Sequence, residues 1–175
     1  MSTHNTESFS FKKYAWNQFK KDKIALVCLY LLFVLIGIAL LAPYIANERP
    51  LYAEYKGYKL YPAFAESIKT DSIFNENGKL EEVLQYDITD WRTLDFERVI
   101  WAPIPYSPSS MDRYNRDYVS PSGKQRFKSK TGEIIDAPAK FRHVLGTDGI
   151  GRDLAAGLIH GTRISILLIF FFNSL

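Results

Sequence analysis

Few residues in this chain could do chemistry, and their spacing argues against it. His4, His143 and His160 each stand alone, without the paired ligands of a metal site. Ser107, Ser109 and Ser110 lack the Gly-x-Ser-x-Gly elbow that activates a nucleophile. Asp87, Asp90 and Asp95 read as solvated turn and cap residues. Cys28 is the only cysteine, so an intramolecular disulfide framework and a Cys-rich zinc site are both excluded. The reading is therefore of a non-enzyme, with no catalytic, cofactor-binding or metal set and no cofactor.

One stretch stands apart: His143-Val-Leu-Gly-Thr-Asp-Gly-Ile-Gly-Arg-Asp153, followed by Gly161-Thr-Arg163-Ile-Ser165. Its residue types describe a turn feeding a helix. Gly146, Gly149 and Gly151 permit positive φ, and Thr147 or Asp148 is expected to cap the helix. Asp148 and Asp153 also suit the positive end of that helix dipole. Gly149-x-Gly151 is no nucleotide loop, since no third glycine follows at the required spacing. Residues 154–161 read as an interfacial helix with Leu154, Leu158 and Ile159 toward apolar material. Gly157 and Gly161, four apart, permit close helix contact, which is by itself a weak signal.

The elements that must hold this turn begin with an apolar run. From Ile24 to Ala46 there is no charged residue, and 13 of the 19 residues in 24–42 are Leu, Ile, Val or Phe. A helix over 24–42 is roughly 28 Å long, close to the hydrocarbon core of about 30 Å, and the turn to Ala46 completes the crossing. The run has no polar stripe, as a buried soluble helix would, and it outlasts the apolar region of a signal peptide. Lys12, Lys13, Lys20, Lys21 and Lys23 precede it, which places the N-terminus in the cytoplasm.

Residues 47–143 then lie outside. Their Lys/Arg and Asp/Glu counts are equal, 15 and 15, so the net charge of +3 belongs to the tail and no basic face for nucleic acid is indicated. Leu51–Tyr61 predicts two short strands around a Lys56-Gly57 turn. Asn77-Gly78 predicts another turn, and Leu80–Tyr86 two helical turns. Three prolines force Trp101–Pro108 to be extended, and Lys124–Lys130 predicts an exposed hairpin or loop. The region's 15 aromatic residues are assigned to core packing, which a small domain poor in aliphatics requires.

At these residues the chain resembles the permease subunits of dipeptide and oligopeptide ABC importers, which carry H-x-L-G-T-D-x-x-G-R-D and then G-x-R-x-S before their second transmembrane helix. The matching residues are His143, Leu145, Gly146, Thr147, Asp148, Gly151, Arg152, Asp153, Gly161, Arg163 and Ser165. Ala46-Asn-Glu-Arg-Pro-Leu51, the hairpin with Gly57, and Ile100-Trp-Ala-Pro-Ile104 are similar to the enlarged outer loop of the microcin C-type branch. One departure is Gly157, where the family usually has Arg.

The resemblance implies an α-helical membrane protein with a small extracytoplasmic α+β domain. Its parts are a cytoplasmic basic tail (1–23), transmembrane helix 1 (24–46), the outer insertion (47–143), a turn and interfacial helix (144–163), and the start of transmembrane helix 2 (164–175). It further implies a bacterial inner-membrane location, with a second permease subunit, two ATP-binding subunits that hydrolyse ATP, an extracytoplasmic peptide-binding protein and membrane lipid as partners. Ile164–Phe172, nine residues or about 14 Å, falls short of a bilayer. The chain is thus expected to be an N-terminal portion, unable to transport alone and prone to proteolysis. The alternative is a complete bitopic protein, a membrane-anchored binding or accessory module.

Overall fold

Apolar composition, a carboxylate cap and short aromatic hairpins account for most of the architecture seen in the computed structural model, which describes residues 11–75 and 77–173. His4 lies outside the described residues. The chain divides into two units, 1–37 and 38–175.

In the first unit, α1 (Phe11–Lys21) occupies part of what the sequence suggested was merely a basic tail. The Trp16 ring stacks on Phe19 at 5.8 Å, and the Lys20 ammonium lies 5.3 Å from the Trp16 ring centre. Asp22 then separates α1 from α2 (Lys23–Ile45). Its carboxylate accepts the backbone N–H groups of Ile24 and Ala25 at 2.9 and 3.3 Å, capping α2 and worth about 1 kcal/mol. With 23 residues, α2 is roughly 34 Å long. It is the one helix among the described residues long and apolar enough to cross a membrane.

The second unit begins with the last turns of α2, where Ala39 and Ala42 are buried. Three carbonyls at or just past the helix end have partners outside the helix. Pro43 O accepts from Asn47 Nδ2 at 3.0 Å, Ile45 O from the Ile104 amide at 2.9 Å, and Ala46 O from His160 Nε2 at 2.9 Å. A helix end so tied is unusual for a simple anchor, since its position is fixed by residues far along the chain.

Among the described residues seven strands follow: β1 (Tyr52–Tyr55), β2 (Tyr58–Leu60), β3 (Thr70–Phe74), β4 (Leu80–Gln85), β5 (Arg98–Ile100), β6 (Arg126–Lys128) and β7 (Ile134–Asp136). They form an antiparallel sheet in the order β2-β1-β5 and two hairpins, β3-β4 and β6-β7. Lys56 and Gly57, at φ 48° and 78°, make the two-residue turn that suits the twist of a hairpin. The Lys124–Lys130 stretch supplies β6 of the third hairpin, as expected.

Leu80–Tyr86 corrects the reading of two helical turns: residues 80–85 are β4. The Asn75 side chain accepts the amides of Asn77 and Lys79 and closes the turn. β4 then pairs with β3, with Asp71 opposite Leu84. Cross-strand pairing and burial of Leu84 outweigh the helical preference of a six-residue segment. With that correction the insertion is not α+β. Its described residues form strands and two 3-10 turns (Pro62–Phe64, Ala139–Phe141), with no α-helix.

The core of this β region joins Ala53, Tyr55, Leu60, Ile73, Leu84, Tyr86 and Trp91. Tyr86 meets Trp91 edge to face at 4.9 Å, and the Tyr86 hydroxyl donates to Asp71. Trp101 bridges Phe96 and Phe141, which stacks on Phe127 at 4.7 Å. The aromatics are thus the packing material of a domain with little aliphatic bulk. The chain ends in α3 (Leu154–Asn173), which runs unbroken through the 163/164 boundary where the sequence suggested two separate pieces.

Candidate functional site

The segment from Ile104 to Asp153 holds little regular structure, and side chains do the work that a ladder does elsewhere. Two buried amides imitate strands. Asn115 donates from Nδ2 to Arg126 O at 2.7 Å and accepts the Arg126 amide on Oδ1 at 2.8 Å. Gln125 donates to His143 O at 3.1 Å and accepts the His143 amide at 2.6 Å. Both residues are about 1% exposed, and each closes a loop without a strand partner.

His143 lies at the centre of this arrangement. Its imidazole is fully buried, with Nδ1 2.8 Å from Asp153 Oδ2 and Nε2 3.2 Å from Asp112 Oδ2. Its ring stacks on Tyr106 at 4.0 Å, and the Tyr106 hydroxyl donates to Phe141 O. The Arg92 guanidinium lies 5.0 Å from the Tyr106 ring centre. Asp112 also accepts the amides of Tyr114 and Asn115 Nδ2, both within 2.9 Å.

Burial is the largest influence on the imidazole and favours the neutral form. The hydrogen bonds and charges of Asp112 and Asp153 outweigh it, so the pKa of His143 rises above its ordinary value. Burial likewise acts to raise Asp112, but His143, Asn115 and the Tyr114 amide together hold it below the usual carboxylate range. The group reads as an imidazolium clamped between two carboxylates. With both ring nitrogens engaged, the imidazole and Asp153 fully buried and Asp112 only 9% exposed, it is a structural clamp rather than a general base.

The clamp is wired to α3. Asp153 gives one oxygen to His143 and the other to the Ala156 amide at 2.6 Å, so Asp153 caps the helix. This corrects the expectation that Thr147 or Asp148 is the cap. Thr147 instead donates its hydroxyl to Asn115 O at 2.7 Å and accepts the Val119 amide. Asp148 caps its own turn by accepting the amides of Ile150 and Arg152. Backbone bonds that would otherwise hold a strand link this turn to residues 112–119, among them Asp112 N to Gly151 O at 2.8 Å and Thr147 N to Val119 O at 3.0 Å.

Two of the three glycines are required here. Gly146 and Gly151 have φ of 80° and 89°, and a Cβ at either would fall 2.3 Å from Val119 O or 2.2 Å from Asp112 O. Gly149 has no positive φ; its Cα packs against the Tyr118 ring.

Of the sequence-predicted residues, the clamp gathers His143, Gly146, Thr147, Asp148, Gly151 and Asp153. It leaves Leu145, Arg152, Arg163 and Ser165 exposed, and Gly161 open to space that no neighbour fills. Leu154 and Leu158 are exposed as well, whereas Ile159 packs on the small cluster of Ala46, Tyr106 and Ala156. Sequence reasoning described His143 as isolated and missed Asp112, Asn115 and Gln125. The available signal was a histidine and an aspartate ten residues apart, both flanking glycine turns, with no local partner for either.

Residues 10–62 match the family described as the N-terminal TM domain of oligopeptide transport permease C. Across 87% of the chain, 28% of residues are identical to the inner membrane ABC transporter permease protein YejE of Escherichia coli K12, of which 39% is covered. The peptidoglycan transport system permease protein YejE of Agrobacterium fabrum is 27% identical over 89% of the chain and 42% of its own length. The dipeptide transport system permease protein DppC of Lactococcus lactis is 24% identical over 92% of the chain and 35% of its own length. No solved structure matches the chain. The chain thus spans about two fifths of the length of the curated relatives that it matches. Residues 10–62 are thus similar to the N-terminal TM domain of oligopeptide transport permease C, and most of the chain is similar to part of several transporter permease proteins.

Proposed function

We propose that the subunit carrying this segment imports peptides across the bacterial inner membrane. A second permease subunit forms the pathway with it, two ATP-binding subunits supply the energy, and an extracytoplasmic binding protein delivers the peptide. The chain's own part in this is mechanical: α2 crosses the membrane with its N-terminus in the cytoplasm, and residues 47–143 stand outside. The single observation carrying the reading is the clamp of His143 between Asp112 and Asp153, which joins the outer insertion to the head of α3. Through it, a force on the insertion is passed to a helix that enters the membrane. Docking of the binding protein on the insertion is how such a force would arise.

Two measurements test this. In a C28S background, cysteine at Ser129 is expected to react with a membrane-impermeant maleimide added to sealed cells, while cysteine at Lys12 is not. The reverse pattern defeats the orientation. In cells whose peptide uptake depends on the subunit, deletion of residues 50–140 is expected to abolish uptake, and unchanged uptake defeats the role of the insertion.

A further inference from the structure

We propose that the cleft between the end of α2 and α3 binds the phosphodiester headgroup of a phospholipid. The cleft encloses ≈ 320 Å³ and is lined by Glu48, Arg49, Ser107, Ser109, His160 and Arg163, among others. Its chemistry is that of an oxyanion site. Its lining carries two guanidinium groups, one carboxylate and the three hydroxyls of Ser67, Ser107 and Ser109.

Arg163 carries the argument. It interrupts an apolar helix face and forms no ion pair among the described residues. A guanidinium stays charged at every physiological pH, and at a membrane boundary it requires a counter-charge or a polar partner. Arg49 has one long contact, to Ala65 O at 3.5 Å, which leaves most of its donors unused. His160 is held by its bond to Ala46 O and keeps the helix against the cleft.

The surroundings favour a lipid over a free anion. The cleft lies at the C-terminal end of α2, the helix that matches the thickness of a bilayer, so it stands at headgroup level. One turn farther along the same face of α3, Ile164 follows His160 and Leu167 follows Arg163, and both are exposed. On α2, Leu40, Leu41 and Tyr44 are exposed in the turns just before the cleft. A cationic pocket continued by apolar helix surface fits a molecule with a phosphate head and an acyl tail. The proposal rests on α2 spanning the membrane, which the cysteine labelling above tests separately.

The test is native mass spectrometry of the chain purified in detergent and titrated with phosphatidylglycerol, with diacylglycerol of the same tails, and with inorganic phosphate. Phosphatidylglycerol is expected to remain bound, diacylglycerol to be lost, and inorganic phosphate not to displace the lipid at equal concentration. Arg49→Gln with Arg163→Gln should weaken retention about tenfold, the scale of lost charge-assisted hydrogen bonds. Arg98→Gln, on the far-exposed strand β5, should leave it unchanged. Glu48→Gln, which removes the opposing charge without disturbing the arginines, should strengthen retention about threefold. Equal retention by the double variant, equal binding of diacylglycerol, displacement by inorganic phosphate, or no gain from Glu48→Gln would each overturn the proposal.

Discussion

Two interiors lie side by side in the second unit and are built on opposite principles. The β region around Trp91 is held by area: Tyr55, Leu60, Ile73, Leu84 and Tyr86 exclude water, and the backbone satisfies itself in hairpins. The clamp around His143 is held by valence. Its loops have almost no ladder, and each turn is pinned by a named side-chain donor and acceptor. An apolar core tolerates a change of shape at a graded cost, whereas a buried ionic group that loses one partner leaves a charge stranded. The same protein should therefore fail gradually in one place and abruptly in the other.

The sharpest way to break the comparison is at Asp153. Asp153→Ala removes both the helix cap and one carboxylate from the imidazolium, and should destabilise the second unit by about 3–5 kcal/mol. Thermal unfolding of the chain in detergent, followed by near-ultraviolet circular dichroism of Trp91 and Trp101, measures it. A loss under about 1 kcal/mol would mean that the clamp is ornamental.

Gly151→Ala comes next, since it meets Asp112 O and holds a strained φ; a cost of roughly 3 kcal/mol is expected. Gly57→Ala has a similar φ but open space around it, and should cost only about 1–2 kcal/mol. Equal losses for the two would show that φ, and not the close approach of the loops, decides.

pH separates the interiors more finely. The pKa of His143 is raised above its ordinary 6.5, so the stability it contributes is fully present below that value and is lost as pH rises through the folded-state pKa. That of Asp112 is lowered from 3.8, so its contribution is present above that value and lost as pH falls through the folded-state pKa. The clamp is then tightest in mildly acidic solution and loosens on the alkaline side. His143→Gln should flatten the alkaline decline, and Leu84→Ala should lower stability at every pH without changing the slope. The smallest effect is expected from Ile73→Val, about 0.5–1.5 kcal/mol, graded as an apolar core requires.

The amino-acid order by itself settled whatever depends on neighbours in the chain. The uncharged run predicts α2, Lys56-Gly57 predicts the first hairpin turn, and the glycine-rich stretch before residue 154 predicts a turn feeding a helix. Leu80–Gln85 defeated that logic, because its strand exists only through pairing with β3. The clamp defeated it more completely. His143 meets Asp112 from 31 residues away and Gln125 from 18. Nothing in local spacing reveals such a bond, since its worth comes from the removal of water, and only the folded arrangement removes it. Tertiary structure alone therefore decided that a histidine alone in sequence is held between two carboxylates, and that Asp153 rather than Thr147 or Asp148 starts the last helix.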